Sequence, residues 1–363
     1  MTRWWVGALV LAAASAHAFD VTAAGSAAVD YRYVSGPNPP ENPSTLGITG
    51  LTYEVAQKLV AEVGHGVSFT VKACAGCHGL EVDQGFGEVR VKRFFNVRAG
   101  RLNLPFGEFN LRHDPTNFTT PSKPLPYAMG DMLWYGREGF NLGIVPAPFV
   151  DNGVEVYGSL SLSKKVQLDY SAYVVKGLVG DNDIDWARSR NYLDINRTPA
   201  GGGRVVLTGE DWAVGASFTG GTYDPKDTLH YLMGGLDLYL RFGPVVFRAE
   251  GLARRTDLDP TATGYAYQVI DSWFLKVGWY GQVDWAIIPQ LTLVLRSDGL
   301  QHFGLPIPES SIQPNARVLR QTVALMGRVN ENFAIKADYE LWTVTDAPFT
   351  ARHLARLGVV VGY

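Results

Sequence analysis

Apolar and polar side chains alternate with a period of two in many segments of this 363-residue chain. Between residues 333 and 342, apolar side chains share one face of an extended backbone, and Lys336, Asp338 and Glu340 share the other. The same alternation is present at residues 51–63 and 229–241. Because successive side chains of a strand point to opposite sides of its sheet, this pattern predicts β-strands with one apolar and one polar face.

The alternating segments divide the chain into strands that are joined by two kinds of connection. Short polar turns lie near residues 64–66, 92–93, 163–165, 209–211, 243–244, 289–290 and 330–332, and between them lie mostly longer connections, around residues 35–50, 105–153, 177–201, 257–271 and 300–316. The predicted strands are 24–34, 51–63, 67–78, 80–91, 95–104, 154–162, 166–176, 202–208, 212–223, 229–241, 245–256, 272–287, 291–299, 317–328, 333–345 and 351–363. An even number of strands with this order of connections is typical of outer-membrane barrels. The sequence therefore predicts an all-β fold, a transmembrane antiparallel β-barrel of about 16 strands with periplasmic termini and long extracellular loops.

The composition favours the barrel over a soluble β-sandwich. The chain has 40 Gly, 17 Tyr, 17 Phe and 9 Trp but only 18% charged residues, and its apolar residues are dispersed. Lipid-facing apolar positions with aromatic belts at both membrane interfaces account for this mixture. The net charge of −3 implies no nucleic-acid surface. No hydrolase elbow, phosphate-binding Gly loop or His-Glu-x-x-His motif is present, so we expect neither an enzyme nor a nucleotide cofactor.

Both ends of the chain indicate export to the cell outer membrane. Residues 1–18 combine a basic start, an apolar centre and a small-residue ending, which predicts a cleaved signal peptide followed by one barrel domain at 19–363. At the other end, Leu357, Val359, Val361 and Tyr363 share one face. This ending resembles the C-terminal strand signature of Gram-negative outer-membrane proteins, which implies recognition by the outer-membrane assembly machinery.

Three further segments carry a resemblance to a known family. The segment Arg98-Ala99-Gly100-Arg101, the nearby Pro105-Phe106-Gly107 and the segment 149–153 (FVDNG) are similar to stretches of the phosphate-selective type of sixteen-strand porin. The resemblance implies passive diffusion of small, anionic solutes, a homotrimer in outer-membrane lipid, and a connection at 105–153 that folds into the lumen as a constriction loop.

One motif is foreign to that family. Cys74 and Cys77 are the 2 cysteines of the chain, and His78 follows directly. The spacing Cys-x-x-Cys-His is that of covalent c-type haem attachment, with His78 as proximal iron ligand. The alternative is a Cys74–Cys77 disulfide in an oxidising compartment. Zinc is not expected, because it needs a fourth ligand and usually a second such pair.

The register of the strand that contains Cys74 predicts where the motif lies. Counting from Val67, Cys74 shares the lumen-facing side with Ser68, Thr70 and Lys72, near the outer mouth. The predicted constriction loop could give a haem iron its second axial ligand. The candidates for this distal ligand are His113, Met129 and Met132.

Arginines on the predicted inner face could give the pore a preference for anions. These pore-lining candidates are Arg248, Arg296, Arg320, Arg328, Arg352 and Arg356. They are interleaved with Glu250, Asp338 and Glu340, so a wall of mutually paired charges is an equal alternative.

The sequence thus supports two functional hypotheses. In the first, the barrel holds one haem c on Cys74 and Cys77 and serves electron transfer or redox sensing at the cell surface with periplasmic or surface cytochromes. In the second, it is a passive diffusion porin for small solutes, and the cysteines form a structural disulfide.

Overall fold

The computed structural model describes most of the chain. The described residues are 20–35, 49–76, 79–128, 132–135, 138–141, 143–181, 183–192, 194–261, 271–304, 317–344 and 352–363. The predicted signal peptide lies outside them. Among the described residues, no helix has the length and apolarity that crossing a bilayer requires.

Eighteen strands and two four-residue helices are present in this part of the chain. The strands are β1 (Asp20–Val34), β2 (Gly50–Gly64), β3 (Val67–Gly76), β4 (Gly79–Lys92), β5 (Phe95–Asn103), β6 (Met132–Tyr135), β7 (Glu138–Asn141), β8 (Val150–Ser161), β9 (Gln167–Val175), β10 (Ala200–Thr208), β11 (Trp212–Thr222), β12 (His230–Phe242), β13 (Val245–Asp257), β14 (Trp273–Ile288), β15 (Leu291–Phe303), β16 (Arg317–Arg328), β17 (Phe333–Val344) and β18 (Arg352–Gly362). The helices are α1 (Glu108–Leu111) and α2 (Trp186–Ser189).

All the strands except β6 and β7 form one closed antiparallel barrel of sixteen strands. Neighbours in sequence pair with each other, β5 pairs with β8, and β18 returns to pair with β1. The strands β6 and β7 form a separate hairpin. The structure confirms the predicted sixteen-strand antiparallel β-barrel, and each predicted strand corresponds to one strand of the barrel.

The two faces of the barrel wall have the polarity that the alternation predicted. On β3, Ser68, Thr70 and Lys72 are buried, whereas Phe69 and Val71 are 54% and 50% exposed on the opposite face. A soluble protein buries its apolar side chains, so this inverted arrangement fits a barrel whose outer surface contacts lipid.

Short turns and long connections lie at opposite ends of the barrel. Short turns connect β2 to β3, β4 to β5, β8 to β9, β10 to β11, β12 to β13, β14 to β15 and β16 to β17. They lie at the end of the barrel that also carries both termini, which we call the turn end. The opposite end, which we call the loop end, carries the two-residue connection after β3 and the longer connections after β1, β5 and β9 and their successors. At the turn end, Gly25 and Tyr363 exchange two backbone hydrogen bonds, of 3.0 and 3.1 Å, which close the barrel between β1 and β18.

The connection between β5 and β8, residues 104–149, lies against inward-facing side chains of the wall, and we call it the inner loop. It contains α1 and the β6–β7 hairpin. Its apolar side chains form the main buried cluster of the protein, in which the following residues are at most 1% exposed: Phe106, Phe109, Leu125, Tyr127 and Ile144. The hydrophobic core therefore lies inside the barrel, between the inner loop and the wall.

Candidate functional site

Glu250 on β13 anchors the first part of the inner loop. Its carboxylate accepts hydrogen bonds from the backbone nitrogens of Glu108 (3.0 Å) and Phe109 (3.3 Å) and from the hydroxyl of Tyr127 (2.5 Å). Gly107 precedes α1 with a φ of 73°, and a Cβ at this position would overlap Tyr127 and Glu250. A buried carboxylate that accepts three hydrogen bonds is well satisfied, so this contact fixes the loop on the β13 side of the lumen.

A second anchor lies on β15, β16 and β17. The hydroxyl of Ser122 donates to Asp338 (2.7 Å) and accepts from Arg296 (2.6 Å). Arg320 donates to the backbone oxygen of Lys123 (2.6 Å) and is also paired with Asp298 and Glu340. These contacts use both the side chains and the main chain of the loop, and they hold it against this part of the wall.

Two cavities lie between the inner loop and the wall; both are lined by residues of β18, β1, β2 and β3, and one of them also by residues of β16 and β17. The loop-end chamber, of about 390 Å³, is bounded by Arg32, Glu54 and Cys74 of the wall and by Lys123 and Tyr127 of the inner loop. The turn-end chamber, of about 300 Å³, is bounded by Ala56, Lys58 and Lys72 of the wall and by Asp114 and Thr116 of the inner loop. The space between the inner loop and the wall therefore runs along β18, β1, β2 and β3, and at the turn end it extends to β16 and β17.

The two chambers differ in their charges. Four cationic and four anionic residues line the loop-end chamber: Arg32, Lys123, Arg190 and Arg356, and Asp30, Glu54, Glu81 and Asp83. Four cationic and two anionic residues line the turn-end chamber: Lys58, Lys72, Arg328 and Lys336, and Asp114 and Glu331. The loop-end chamber is thus balanced, and the turn-end chamber has an excess of positive charge.

The structure corrects part of the prediction that six arginines line a pore. Arg296 and Arg320 are 3% and 0% exposed, because the inner loop covers them and Asp298 and Glu340 pair with them. Arg248 is paired with Asp284 on the side that holds the loop. Two of the other three line a chamber: Arg328 lines the turn-end chamber, and Arg356 lines the loop-end chamber within 3.9 Å of Glu340. Arg352 lies at the loop end of the barrel, where it donates to the backbone oxygen of Ser35.

Cys74 lines the loop-end chamber, on the strand face that the register predicted. It pairs across the sheet with Ala56 on β2 and with Glu81 on β4. Its partners in the motif, Cys77 and His78, lie outside the described residues, as does the candidate ligand Met129. Met132 is in β6, and its side chain is not among those described. Within the described ranges, no group of three or more His, Cys, Asp or Glu side chains is arranged to hold a metal ion.

The third candidate ligand, His113, is buried and already bonded through both ring nitrogens. Its Nδ1 lies 2.6 Å from the backbone oxygen of Asn110, and its Nε2 lies 3.1 Å from Nζ of Lys72. Burial, reinforced by the Lys72 charge, lowers the pKa of His113 to about 4. A neutral ring that donates from Nδ1 and accepts at Nε2 fits both contacts. The structure thus gives His113 a role in attaching the inner loop to β3.

Sequence analysis did not identify the residues that join the inner loop to β2 and β3. Lys123 lies 3.1 Å from Glu54 on β2, and Asp114 forms an ion pair with Lys72 on β3. Alternation placed Lys72 on the inner face, but nothing in the sequence paired Lys72 or Glu54 with a loop residue.

Comparisons with known proteins extend the fold result. No protein-family model and no curated protein matches the chain. Among solved structures, it is similar to the anion-selective porin from Comamonas acidovorans (TM-score 0.59, 10% identity, 95% of this chain and 100% of that one). It is also similar to OmpF of Salmonella typhi in complex with daunomycin (TM-score 0.61, 10% identity, 94% of this chain and 97% of that one). A third similar structure is the outer-membrane channel DcaP of Acinetobacter baumannii (TM-score 0.59, 11% identity, 96% of this chain and 99% of that one). At these identities the similarity establishes a porin-like sixteen-strand barrel.

Proposed function

We propose that the protein is an outer-membrane channel for the passive diffusion of small solutes, with its path along the inner surface of β18, β1, β2 and β3. One observation carries this proposal: hydrogen bonds fix the inner loop to β13 and to β15–β17, and two chambers follow each other between the loop and the wall along β18, β1, β2 and β3. Charged side chains line part of both chambers, and such side chains can contact hydrated solutes.

The outer surface supports a position in the outer membrane. Large apolar side chains face outward around the whole barrel, including Leu59 on β2, Leu236 on β12, Val323 on β16 and Leu357 on β18, which are 45% to 68% exposed. Short turns in such barrels are periplasmic, so we assign the turn end and both termini to the periplasm. The resemblance to porins extends this proposal to a homotrimer.

The charges of the chambers favour small anions over cations. The turn-end chamber has two more cationic than anionic residues, whereas the loop-end chamber is balanced. An excess of one sign in a narrow lumen raises the local concentration of the opposite ion. We therefore propose a modest preference for anions that is set near the periplasmic mouth.

Conductance of the purified, folded protein in planar bilayers tests this function. We expect ion-permeable channels whose reversal potential in a KCl gradient indicates a preference for chloride. The double variant K58A/R328A removes two cations of the turn-end chamber and should reduce that preference. The matched control K164A/K165A removes two exposed cations of a turn at the same end and should leave it unchanged. Absence of conductance from folded protein would overturn the proposal.

Haem attachment is a second candidate, favoured by the exposure of Cys74 to a chamber inside the barrel. The solved structures to which the chain is similar include an anion-selective porin and an outer-membrane channel, which supports a channel over a haem protein. We therefore rank the disulfide channel above the haem protein. Intact mass after denaturation decides between them: a gain of one haem with a Soret band supports haem on Cys74 and Cys77, and a loss of two hydrogens without that band supports the disulfide.

A further inference from the structure

We propose that the ion pair between Lys123 and Glu54 is the movable constriction of this channel, and that the Lys72–Asp114–His113 cluster is the fixed part of the same constriction. The inference rests on the proposed channel function. It assigns to particular side chains the selection of solutes at the boundary between the two chambers.

The boundary between the chambers can be located on the wall and on the inner loop. On β2, Glu54 lines the loop-end chamber, and Ala56, two residues further, lines the turn-end chamber. On β3, Cys74 lines the first chamber and Lys72 the second. The inner loop has the same order, since Lys123 lines the loop-end chamber and Asp114 the turn-end chamber. The two ion pairs that connect described residues of the loop and the wall therefore lie where one chamber gives way to the other.

Each ion pair closes the gap between the inner loop and the wall. Nζ of Lys123 lies 3.1 Å from Oε2 of Glu54, a distance that leaves no room for a solute between them. At the second contact, Asp114 is ion-paired with Lys72, and His113 stands 3.1 Å from the same ammonium group. A solute that moves from one chamber to the other must displace one of these contacts or pass beside it.

The two contacts differ in how readily they can open. Lys123 and Glu54 each have 26% of the side chain exposed, and Nζ of Lys123 also donates to the backbone oxygen of Ala147 (3.2 Å). Water reaches both partners of this half-buried pair, so separating them costs less than separating a buried pair. The Lys72 side chain is only 3% exposed, and it contacts His113 and Asp114 and lies 4.0 Å from Asp83. Removing one partner from such a buried cluster leaves a charge uncompensated, which is strongly unfavourable. The Lys123–Glu54 pair is therefore the contact that opens during passage.

The orientation of the two pairs adds a criterion for solutes. At the first contact the wall supplies the carboxylate and the loop the ammonium group, whereas at the second contact the wall supplies the ammonium group and the loop the carboxylate. A solute that replaces the Lys123–Glu54 pair therefore contacts both cationic and anionic groups at the same depth in the lumen. The single substitutions E54K and K123E should change the net charge at this depth in opposite directions.

Single-channel recording of charge variants tests the inference. E54K places two cations at the constriction and should shift the reversal potential towards anions, and K123E should shift it towards cations; both should raise the conductance, because the pair is lost. The double variant E54K/K123E restores an ion pair and should return the conductance towards the wild-type value. R188A breaks an exposed ion pair of 2.8 Å with Asp181 outside the lining of both chambers and should have no effect.

The outcomes separate this inference from the channel proposal. If the wild-type protein conducts and E54K and K123E both behave like R188A, the constriction has been assigned to the wrong residues and the channel function stands. If the folded wild-type protein does not conduct, both proposals fail. The double variant guards against misfolding, because it carries the same two substituted positions and is expected to recover wild-type behaviour.

Discussion

The hydroxyl of Tyr127 donates a 2.5 Å hydrogen bond to the carboxylate of Glu250, which joins the middle of the inner loop to β13. Burial, reinforced by the charge of Glu250, raises the pKa of Tyr127 well above its usual range, so this hydroxyl remains a protonated donor at neutral pH. The same carboxylate accepts the first backbone N–H groups of α1. One wall residue thus holds two separate parts of the inner loop.

Replacing Glu250 should release the inner loop without opening the barrel. E250A removes the acceptor of three hydrogen bonds and leaves buried donors unpaired, at a cost of about 1–3 kcal/mol for each donor. We expect larger conductance fluctuations and faster proteolysis within residues 104–149, while the far-UV circular dichroism spectrum of the barrel is retained. Y127F loses only one of the three bonds and should have a smaller effect. Equal proteolysis of E250A and wild type would contradict this prediction.

Gly107 should be intolerant of any side chain. Its φ of 73° lies in the left-handed region, and a Cβ would collide with Tyr127 and Glu250. G107A should therefore displace the start of α1 and lower the thermal unfolding midpoint, with a cost of roughly 1–3 kcal/mol for the backbone alone. G251A is the matched control, because it lies beside Glu250 on β13 and a Cβ there meets nothing within 4 Å. Equal midpoints for the two variants would show that the loop start is not constrained.

The attachment of the inner loop to β3 should weaken in acid. The pKa of His113 falls from 6.5 to about 4, chiefly through burial and next through the Lys72 charge, with Asp114, Lys123 and Asp83 as the other charged neighbours of the cluster. A released His113 binds its proton near pH 6.5, whereas the buried one does so only near pH 4. The released state thus binds more protons in this interval, and the stability of the attached loop falls as the pH drops from 6.5 to 4.

Conductance recorded between pH 7 and pH 4 checks this prediction. Wild-type channels should become noisier through that interval, and H113Q should show a flatter pH dependence because its amide does not titrate there. H65N changes an exposed histidine in the turn between β2 and β3 and should retain the wild-type profile. A wild-type profile in H113Q would contradict the assignment to His113.

The sequence predicted the barrel well because alternation is a local property of each strand. It placed Cys74 on the inner face correctly, since a residue's face follows from its register alone. It could not distinguish Arg320, which the inner loop covers, from Arg356, which borders a chamber. Both alternate inward, and their difference depends on where residues 104–149 pack. Pairs such as Lys123 and Glu54 join distant parts of the chain and follow only from the closed barrel.

The closure of the barrel should depend on its last residue. Tyr363 exchanges two backbone hydrogen bonds with Gly25, its hydroxyl bonds to Gln57 on β2, and its ring lies against Gly25, where a Cβ would approach it to 2.6 Å. Deleting Tyr363 removes all of these contacts from the β1–β18 seam, and G25A displaces the ring alone. We expect both variants to unfold at lower temperature in detergent, with the deletion the more severe.

Heat-dependent mobility on SDS gels measures this closure, because a closed barrel migrates differently from the unfolded chain. G327A is the matched control for G25A, since it lies near the same end on β16 and a Cβ there meets nothing within 4 Å. Its transition should match that of the wild type. If the Tyr363 deletion also unfolded at the wild-type temperature, the remaining pairs from Ser26 to Val34 would be sufficient to close β1 onto β18, and the terminal tyrosine would have no role in the stability of the folded barrel.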